Sequence, residues 1–288
     1  MIVKILLVDA CTDGLFSGGT AAVAFLRHLG QEVFLQALAD ELGFPVTVYV
    51  LPHQDEFITR CFSPSKGEIN ANSFAALAAA HAIYGVGLAP VDKPVTLHGR
   101  GGSLTLFKDP AQPEGSISLN LGGAKTTAAP PSITERLNDV LGLAPANILK
   151  AEYLGVEHLL VSCRELEAME SIDFRQIPDV APQARLTLSA PLESSGTSGY
   201  AVRCFGADGV LDSSPMCLAI HSVLGPLWAA QLKKAHLEIH YISPRTCRMW
   251  LDQSSDGSLV AAGQVNTVFR ADPVLRELTG EVAPDMFF

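Results

Sequence analysis

The chain is poor in charge. Asp, Glu, Lys and Arg make up 17% of its 288 residues, with 20 basic side chains against 30 acidic ones, a formal net charge of −10 and a pI near 5.2. Charge this sparse, beside 48% hydrophobic side chains, excludes a disordered charged tail and leaves material for a large core. The length suits one large domain or two small ones. The few Lys and Arg do not cluster, so the chain repels phosphate backbones and no nucleic acid partner is expected. No Cys-x-x-Cys pair occurs among Cys11, Cys61, Cys163, Cys204, Cys217 and Cys247, which argues against a structural zinc site and gives no disulfide framework. The eight histidines lack metal spacing too: His236-x-x-x-His240 falls in an alternating segment that reads as a strand, so no metal is expected. The opening Met1-Ile-Val-Lys-Ile-Leu-Leu-Val-Asp9 lacks a cationic n-region, a long apolar stretch and a small-residue cleavage site. It reads as a first strand, and a cytoplasmic location is expected.

Charge is missing altogether from residues 69–91 and 213–232. Each window has the length of a membrane span, about 20 residues. Both contain polar or helix-breaking residues, among them Asn70, Asn72, Ser73, Gly85 and Pro90 in the first and Ser213, Ser214, Pro215, Gly225 and Pro226 in the second. Such residues are penalised in a bilayer, so each window reads as a buried helix with a polar approach loop, and no membrane association is expected.

The windows have matching preludes. Arg60-Cys61-Phe62 precedes the first and Arg203-Cys204-Phe205 the second, each within an alternating, strand-like stretch followed by a turn-rich loop. Strand, loop and uncharged helix therefore occur twice, half a chain apart, which reads as a duplication. Around them, strands are expected at 2–9, 46–51, 95–98, 103–107, 116–121, 147–153, 157–162, 185–190, 199–205, 236–242, 246–251 and 258–269. A helical pattern covers 20–43, and shorter helices are expected at 133–141 and 164–170. Gly122 to Ser132, with its Gly-Gly and Pro-Pro dipeptides, reads as a linker. The expected fold is α+β: an N-terminal domain over 1–124, with the C-terminal tail as a candidate completing element, a linker over 125–132, and a similar domain over 133–288, with an active cleft between the two.

These residues resemble the PhzF-like (phenazine biosynthesis) isomerases, which share the two-domain fold of diaminopimelate epimerase. Val8-Asp9-Ala10 and Phe16-Ser-Gly-Gly-Thr-Ala-Ala-Val23 are similar to the family's Asp-Ala-Phe and Gly-Asn-Pro-Ala-Ala-Val. Arg60-Cys-Phe-Ser-Pro64, Glu68 and Leu77-Ala-Ala-Ala-His81 resemble its Arg-x-Phe-x-Pro, Glu and Leu-Ala-Ala-Ala-His. Arg203-x-Phe205, Pro215, His221 and Pro226-Leu-Trp228 resemble the second-half counterpart. The resemblance implies two pseudo-two-fold related domains, each a barrel-like sheet wrapped around a central helix. It also implies a homodimer and a cofactor-free proton shift on a small carboxylated metabolite held at the helix N-termini.

The catalytic positions depart from that pattern. Val46 stands where the family has its general acid/base Glu, Asn72-Ser73-Phe74 aligns with its Cys-Gly-His, and Ser214-Pro-Met-Cys-Leu-Ala219 with its Asp-Pro-x-Thr-Gly-Ser. The remaining candidates for proton transfer are Cys217, whose place at a helix N-terminus favours the thiolate, and the carboxylates nearest the helix entrances, Asp212 and Glu68. Against them stand a small apolar filler for Cys217 and solvated or Arg-paired surface charges for the carboxylates. Candidate substrate-binding residues are Gly18 and Gly19 in a short glycine turn, Asn72 and Ser73 at the first helix entrance, where capping is the alternative, and Ser213 and Ser214 at the second. His81 and His221 read as packed, hydrogen-bonded histidines. Three functions remain open: the isomerase, a small-molecule-binding homologue without catalysis, and an enzyme that cyclises an apolar substrate.

Overall fold

A computed structural model describes residues 2–14, 16–64, 66–70, 73–156, 158–170, 172, 177–180, 183–194, 197–207, 210 and 218–271. In chain order the strands are β1 (Ile2–Ala10), β2 (Gly19–Leu26), β3 (Val46–His53), β4 (Glu56–Ser63), β5 (Gly67–Ile69), β6 (Val95–Gly99), β7 (Gly102–Phe107), β8 (Ser116–Leu121), β9 (Thr126–Ala128), β10 (Ile148–Leu154), β11 (His158–Cys163), β12 (Arg185–Ser194), β13 (Thr197–Phe205), β14 (His236–Tyr241), β15 (Cys247–Gln253) and β16 (Leu259–Ala271). The α-helices are α1 (Glu32–Leu42), α2 (Ser73–Gly85), α3 (Pro131–Leu141), α4 (Leu166–Glu170), α5 (Ile177–Val180) and α6 (Leu218–Leu232). The chain divides into two compact units. One holds Met1–Ala10, Thr20–Leu119 and Gln264 onward; the other holds Cys11–Gly19 and Asn120–Gly263.

The first unit is a closed eight-strand barrel. Its strands follow the order β1, β2, β3, β4, β6, β7, β8, β16, and antiparallel pairing of β1 with β16, from Ile5↔Ala271 to Ala10↔Val265, closes the ring. Helix α2 packs against β1, β3 and β7. Phe74 to Ala80, Ala82 and Ile83 are each 2% exposed or less, so the helix is apolar all round because core surrounds it. Burying Phe74, Leu77 and Ile83 contributes about 1.5–3 kcal/mol apiece. Helix α1 covers the other face of β2, β3 and β4, where Leu35 and Ala39 meet Ala22, Ala24, Tyr49 and Phe62, and the Tyr49 hydroxyl donates to the Leu35 carbonyl at 2.6 Å.

The second unit follows the path β16, β15, β14, β13, β12, β11, β10, β9. Here α6 packs against β12 to β15. Its burial is a stripe: Ile220, His221, Leu224, Trp228 and Ala229 are buried, whereas Ala219, Ala230 and Gln231 are exposed. The uncharged window thus overstated how completely this helix is enclosed, since Ala and Gln carry no charge yet tolerate solvent. A second core gathers Leu137 and Leu141 of α3, Met169 of α4 and Ile177 of α5 over Leu159, Val161, Leu186 and Leu188.

The duplication is visible in the pairing of each unit. Strand β4 is antiparallel to β3 and, after the α2 crossover, parallel to β6; β13 is antiparallel to β12 and, after the α6 crossover, parallel to β14. In both preludes the Arg guanidinium lies over the ring of the Phe two residues on, at 5.0 Å for Arg60–Phe62 and 5.8 Å for Arg203–Phe205. The fold is α+β, as expected.

Two expectations are corrected. The helical pattern over 20–43 breaks into β2 and α1. Ala21 to Phe25 pair in parallel with Val46 to Val50, and near-complete burial on both faces overrides the helix propensity of alanine. The linker segment contains β9, which pairs with β10, and Pro131 already stands in the first turn of α3. No helix among the described residues is long and apolar enough to cross a membrane.

Candidate functional site

The approach to α2 is built from β4, β5 and the β6–β7 turn. Arg60, half-buried on β4, grips Glu68 of β5 with two bonds, Nε to Oε1 at 2.9 Å and Nη2 to Oε2 at 2.8 Å, and also reaches Glu32 at 2.9 Å. The Arg60 hydrogen bonds hold the Glu68 carboxyl below its ordinary range, despite the opposing effect of burial, and Glu68 and Glu32 in turn raise the Arg60 pKa. Arg100 donates to the Glu68 carbonyl at 3.0 Å. The next residue, Gly101, has φ +102° and lies so close to Asn70 that a Cβ there would sit 3.3 Å from its side chain. Two arginines and a glycine turn therefore pin residues 68–70 immediately before the helix. A carboxylate held in this way is a poor proton donor near neutral pH and a good clamp.

Beyond the clamp the interior turns apolar. Val46 is 2% exposed and pairs with Ala21, and Phe74, the second residue of α2, is fully buried. Ser73 opens α2, and Asn72 lies outside the described residues.

The loop Cys11–Gly19 carries the glycine turn. Cys11 and Phe16 have φ of 57° and 59°, and Gly18 has φ 78°. Asp13 N–H donates to Ser17 Oγ at 2.8 Å, and Ser17 Oγ donates to the Gly14 carbonyl at 2.9 Å. Gly18 N–H donates to the Thr246 carbonyl at 2.7 Å, and Arg245 Nε donates to the Gly18 carbonyl at 3.0 Å. Asp13 pairs with Arg248 at 3.0 Å. Both backbone groups of Gly18 are thus engaged in anchoring the loop to β15 and its approach. Gly19 is the first residue of β2.

Asp9, which the sequence offers only as part of a motif, is 3% exposed and accepts a 2.6 Å hydrogen bond from Thr20 Oγ1, joining the ends of β1 and β2. An acid near the end of a strand whose one other charge is Lys4 is the signal the sequence offers.

At the second entrance, Asp212, Ser213, Ser214 and Cys217 lie outside the described residues, directly before α6. One turn into α6, His221 is fully buried, with Nδ1 2.8 Å from the Tyr200 hydroxyl and Nε2 hydrogen-bonded to the Tyr241 hydroxyl. Burial pushes its pKa down to about 3, so it is neutral at any ordinary pH and serves packing and hydrogen bonding. Tyr200 stacks on Trp228, whose indole N–H donates to Ser189 at 3.1 Å. In the first barrel His81 meets Thr267 Oγ1 at 3.1 Å; burial, then Lys108 and Arg270, push its pKa down to about 4. His236 and His240 lie on a strand and pair separately with Asp252 and Glu238. Among the described residues no group of three or more His, Cys, Asp or Glu is placed to hold a metal ion.

The profile of the PhzC-PhzF family, described as phenazine biosynthesis-like protein, matches residues 8–249. An uncharacterised isomerase of Halalkalibacterium halodurans is 26% identical over 284 residues, covering 96% of this chain and 100% of that protein. The crystal structure of a PhzF family protein from Enterococcus faecalis aligns with a TM-score of 0.77 at 21% identity, over 95% of this chain and 99% of that one. A hydroxyproline epimerase from Agrobacterium vitis, solved with bound trans-4-hydroxy-L-proline, aligns with a TM-score of 0.54 at 12% identity, over 94% and 91% of the two chains, a likeness of fold. With most of its length matched by that profile, the chain belongs to the phenazine biosynthesis-like protein family.

Proposed function

We propose that the chain is an isomerase that moves a proton between carbon positions of a small carboxylated metabolite without a cofactor. The observation that carries this reading is the family match over 8–249, which takes in both helix entrances and their preludes. It is supported by relatives named isomerases. In this reading the substrate carboxylate sits at helix N-termini, where free N–H groups and the positive dipole end favour an anion, with Asn72, Ser73, Ser213 and Ser214 adding hydroxyl and amide groups and Gly18 and Gly19 forming a wall. A base takes the proton from the carbon beside an electron-withdrawing group, the charge spreads onto oxygen, and the proton returns at the new position. Cys217 and Asp212 are the groups proposed to carry it. Glu68 is assigned to positioning, because Arg60 occupies both of its oxygens. A cytoplasmic homodimer is part of the same proposal.

Replacing Cys217 by Ala and Asp212 by Asn tests the assignment. At least one variant is expected to lose 100-fold or more in turnover of an identified substrate with little change in its binding, on the order of what a positioned acid or base contributes. Full turnover by both would overturn it.

A second reading, a binding protein without catalysis, is favoured by the burial of Val46 and Phe74 where an acid/base pair would stand. Tight binding of a carboxylate with no isotope exchange at its carbon would select that reading.

A further inference from the structure

Cys11 and Cys247 are 0% and 2% exposed, and their thiols are hydrogen-bonded to one another. The backbone brings them together. Thr12 forms an antiparallel bridge with Cys247, and the Arg248 N–H donates to the Cys11 carbonyl at 3.0 Å. Such a bridge holds two backbones about 5 Å apart, inside the range that a disulfide spans. In a regular strand pair the residue before Thr12 would turn its side chain to the opposite face from Cys247. Cys11 escapes that alternation through its φ of 57°, a conformation rare for a residue with a Cβ. Space is also made for the sulfur: a Cβ on Gly263 would lie 2.4 Å from Cys11 Sγ. Strained backbone, a neighbouring glycine and a thiol–thiol contact converge on one point.

We propose that Cys11 and Cys247 are a redox-modification site at which a peroxide forms a reversible disulfide, locking the Cys11–Gly19 loop to β15. One sulfur attacks the peroxide O–O bond, keeping one oxygen as a sulfenic acid while the other leaves as water. The second sulfur displaces that oxygen as another water and completes the S–S bond. Two thiols and one peroxide thus become one disulfide and two waters, the sulfurs supplying both electrons. Burial keeps Cys11 protonated, so the reaction with peroxide is slow. The cross-link has a local consequence. Thr246, next to Cys247, already accepts the Gly18 N–H, so the bond would add a covalent anchor beside the hydrogen-bonded one that positions Gly18.

The test treats the native full-length protein with hydrogen peroxide, alkylates the remaining thiols in denaturant and maps the peptides by mass spectrometry. A cross-linked Cys11–Cys247 peptide lacking two hydrogens is expected, released by a dithiol reductant, with a higher Tm for the oxidised protein. Alkylation of both residues after peroxide, conversion of either to sulfinic or sulfonic acid, or linkage to a different cysteine would overturn the proposal. In the Cys11→Ser variant the same dose should leave Cys247 open to alkylation, and a disulfide still formed by Cys247 would assign its partner elsewhere.

Discussion

Gly199 illustrates how a single residue decides the architecture. A Cβ at this position would lie 1.8 Å from the Glu238 carbonyl oxygen, an overlap with backbone that no rotamer relieves. The parallel pairing of β13 with β14 therefore depends on the absence of that one carbon. Gly199→Ala is expected to cost about 3 kcal/mol or more, at or beyond the upper end for overpacking, and urea unfolding would register it as a lowered midpoint. The buried histidines set the response to acid. His221 and His81 are both neutral in the fold, with pKa values pushed down to about 3 and about 4 against an ordinary 6.5 in the unfolded chain. The unfolded chain therefore takes up protons first. Stability is whole above about pH 6.5 and falls as the pH drops toward 4, by about 1.4 kcal/mol per pH unit for each histidine. Unfolding measured at pH 7 and pH 5 should differ by up to about 4 kcal/mol, and His81→Gln should reduce the slope by half. Packed histidines were legible because each sits inside an uncharged helical window. The Asp9–Thr20 bond was not, because the pairing of β1 with β2 that joins them is set by tertiary structure.

At the scale of elements, the entrance to α2 is held by charge while its body is held by apolar contact. Glu68→Ala would leave Arg60 with Glu32 alone, and the two surviving partners are partly exposed. The expected cost is about 1 kcal/mol, shrinking as salt is added, measured by urea unfolding at low and high ionic strength. A salt-independent loss would place the effect in packing instead. The strand–helix–strand duplication could be read from Arg60-Cys61-Phe62 and Arg203-Cys204-Phe205 because those triplets occupy equivalent registers, Val48↔Cys61 in one hairpin and Thr187↔Cys204 in the other. What could not be read was β2. Thr20-Ala-Ala-Val-Ala-Phe25 satisfies a helical pattern and a doubly buried parallel strand equally well, and only the pairing with β3 separates the two. The same ambiguity hid the exposed edge of α6, since missing charge marks a helix as apolar without saying how many of its sides are covered.

At the scale of the whole molecule, the barrel of the first unit is completed from the far end of the sequence. Residues 264–271 of β16 pair with β1, so a chain truncated after Gly263 would leave β1 and β8 as open edges. Such a truncation is expected to aggregate or to lose its cooperative unfolding transition, and a soluble fragment with an undiminished transition would show that closure is dispensable. Fold and family follow from patterns spread along the chain, and these survive replacement of individual residues. Chemistry follows from a few side chains, and the two proposed to carry it here, Asp212 and Cys217, stand in the short segment before α6. That separation is why the architecture was legible and the proton carriers remain a proposal.

The most direct test is solvent isotope exchange by the wild-type protein. Small α-amino and α-hydroxy carboxylates that bind the protein would be incubated with it in deuterated buffer and followed by proton NMR. The account predicts that the signal of the hydrogen on the carbon beside the carboxylate, or at its shifted position, disappears far faster than in protein-free buffer. A carboxylate that binds and keeps that hydrogen unchanged would contradict it.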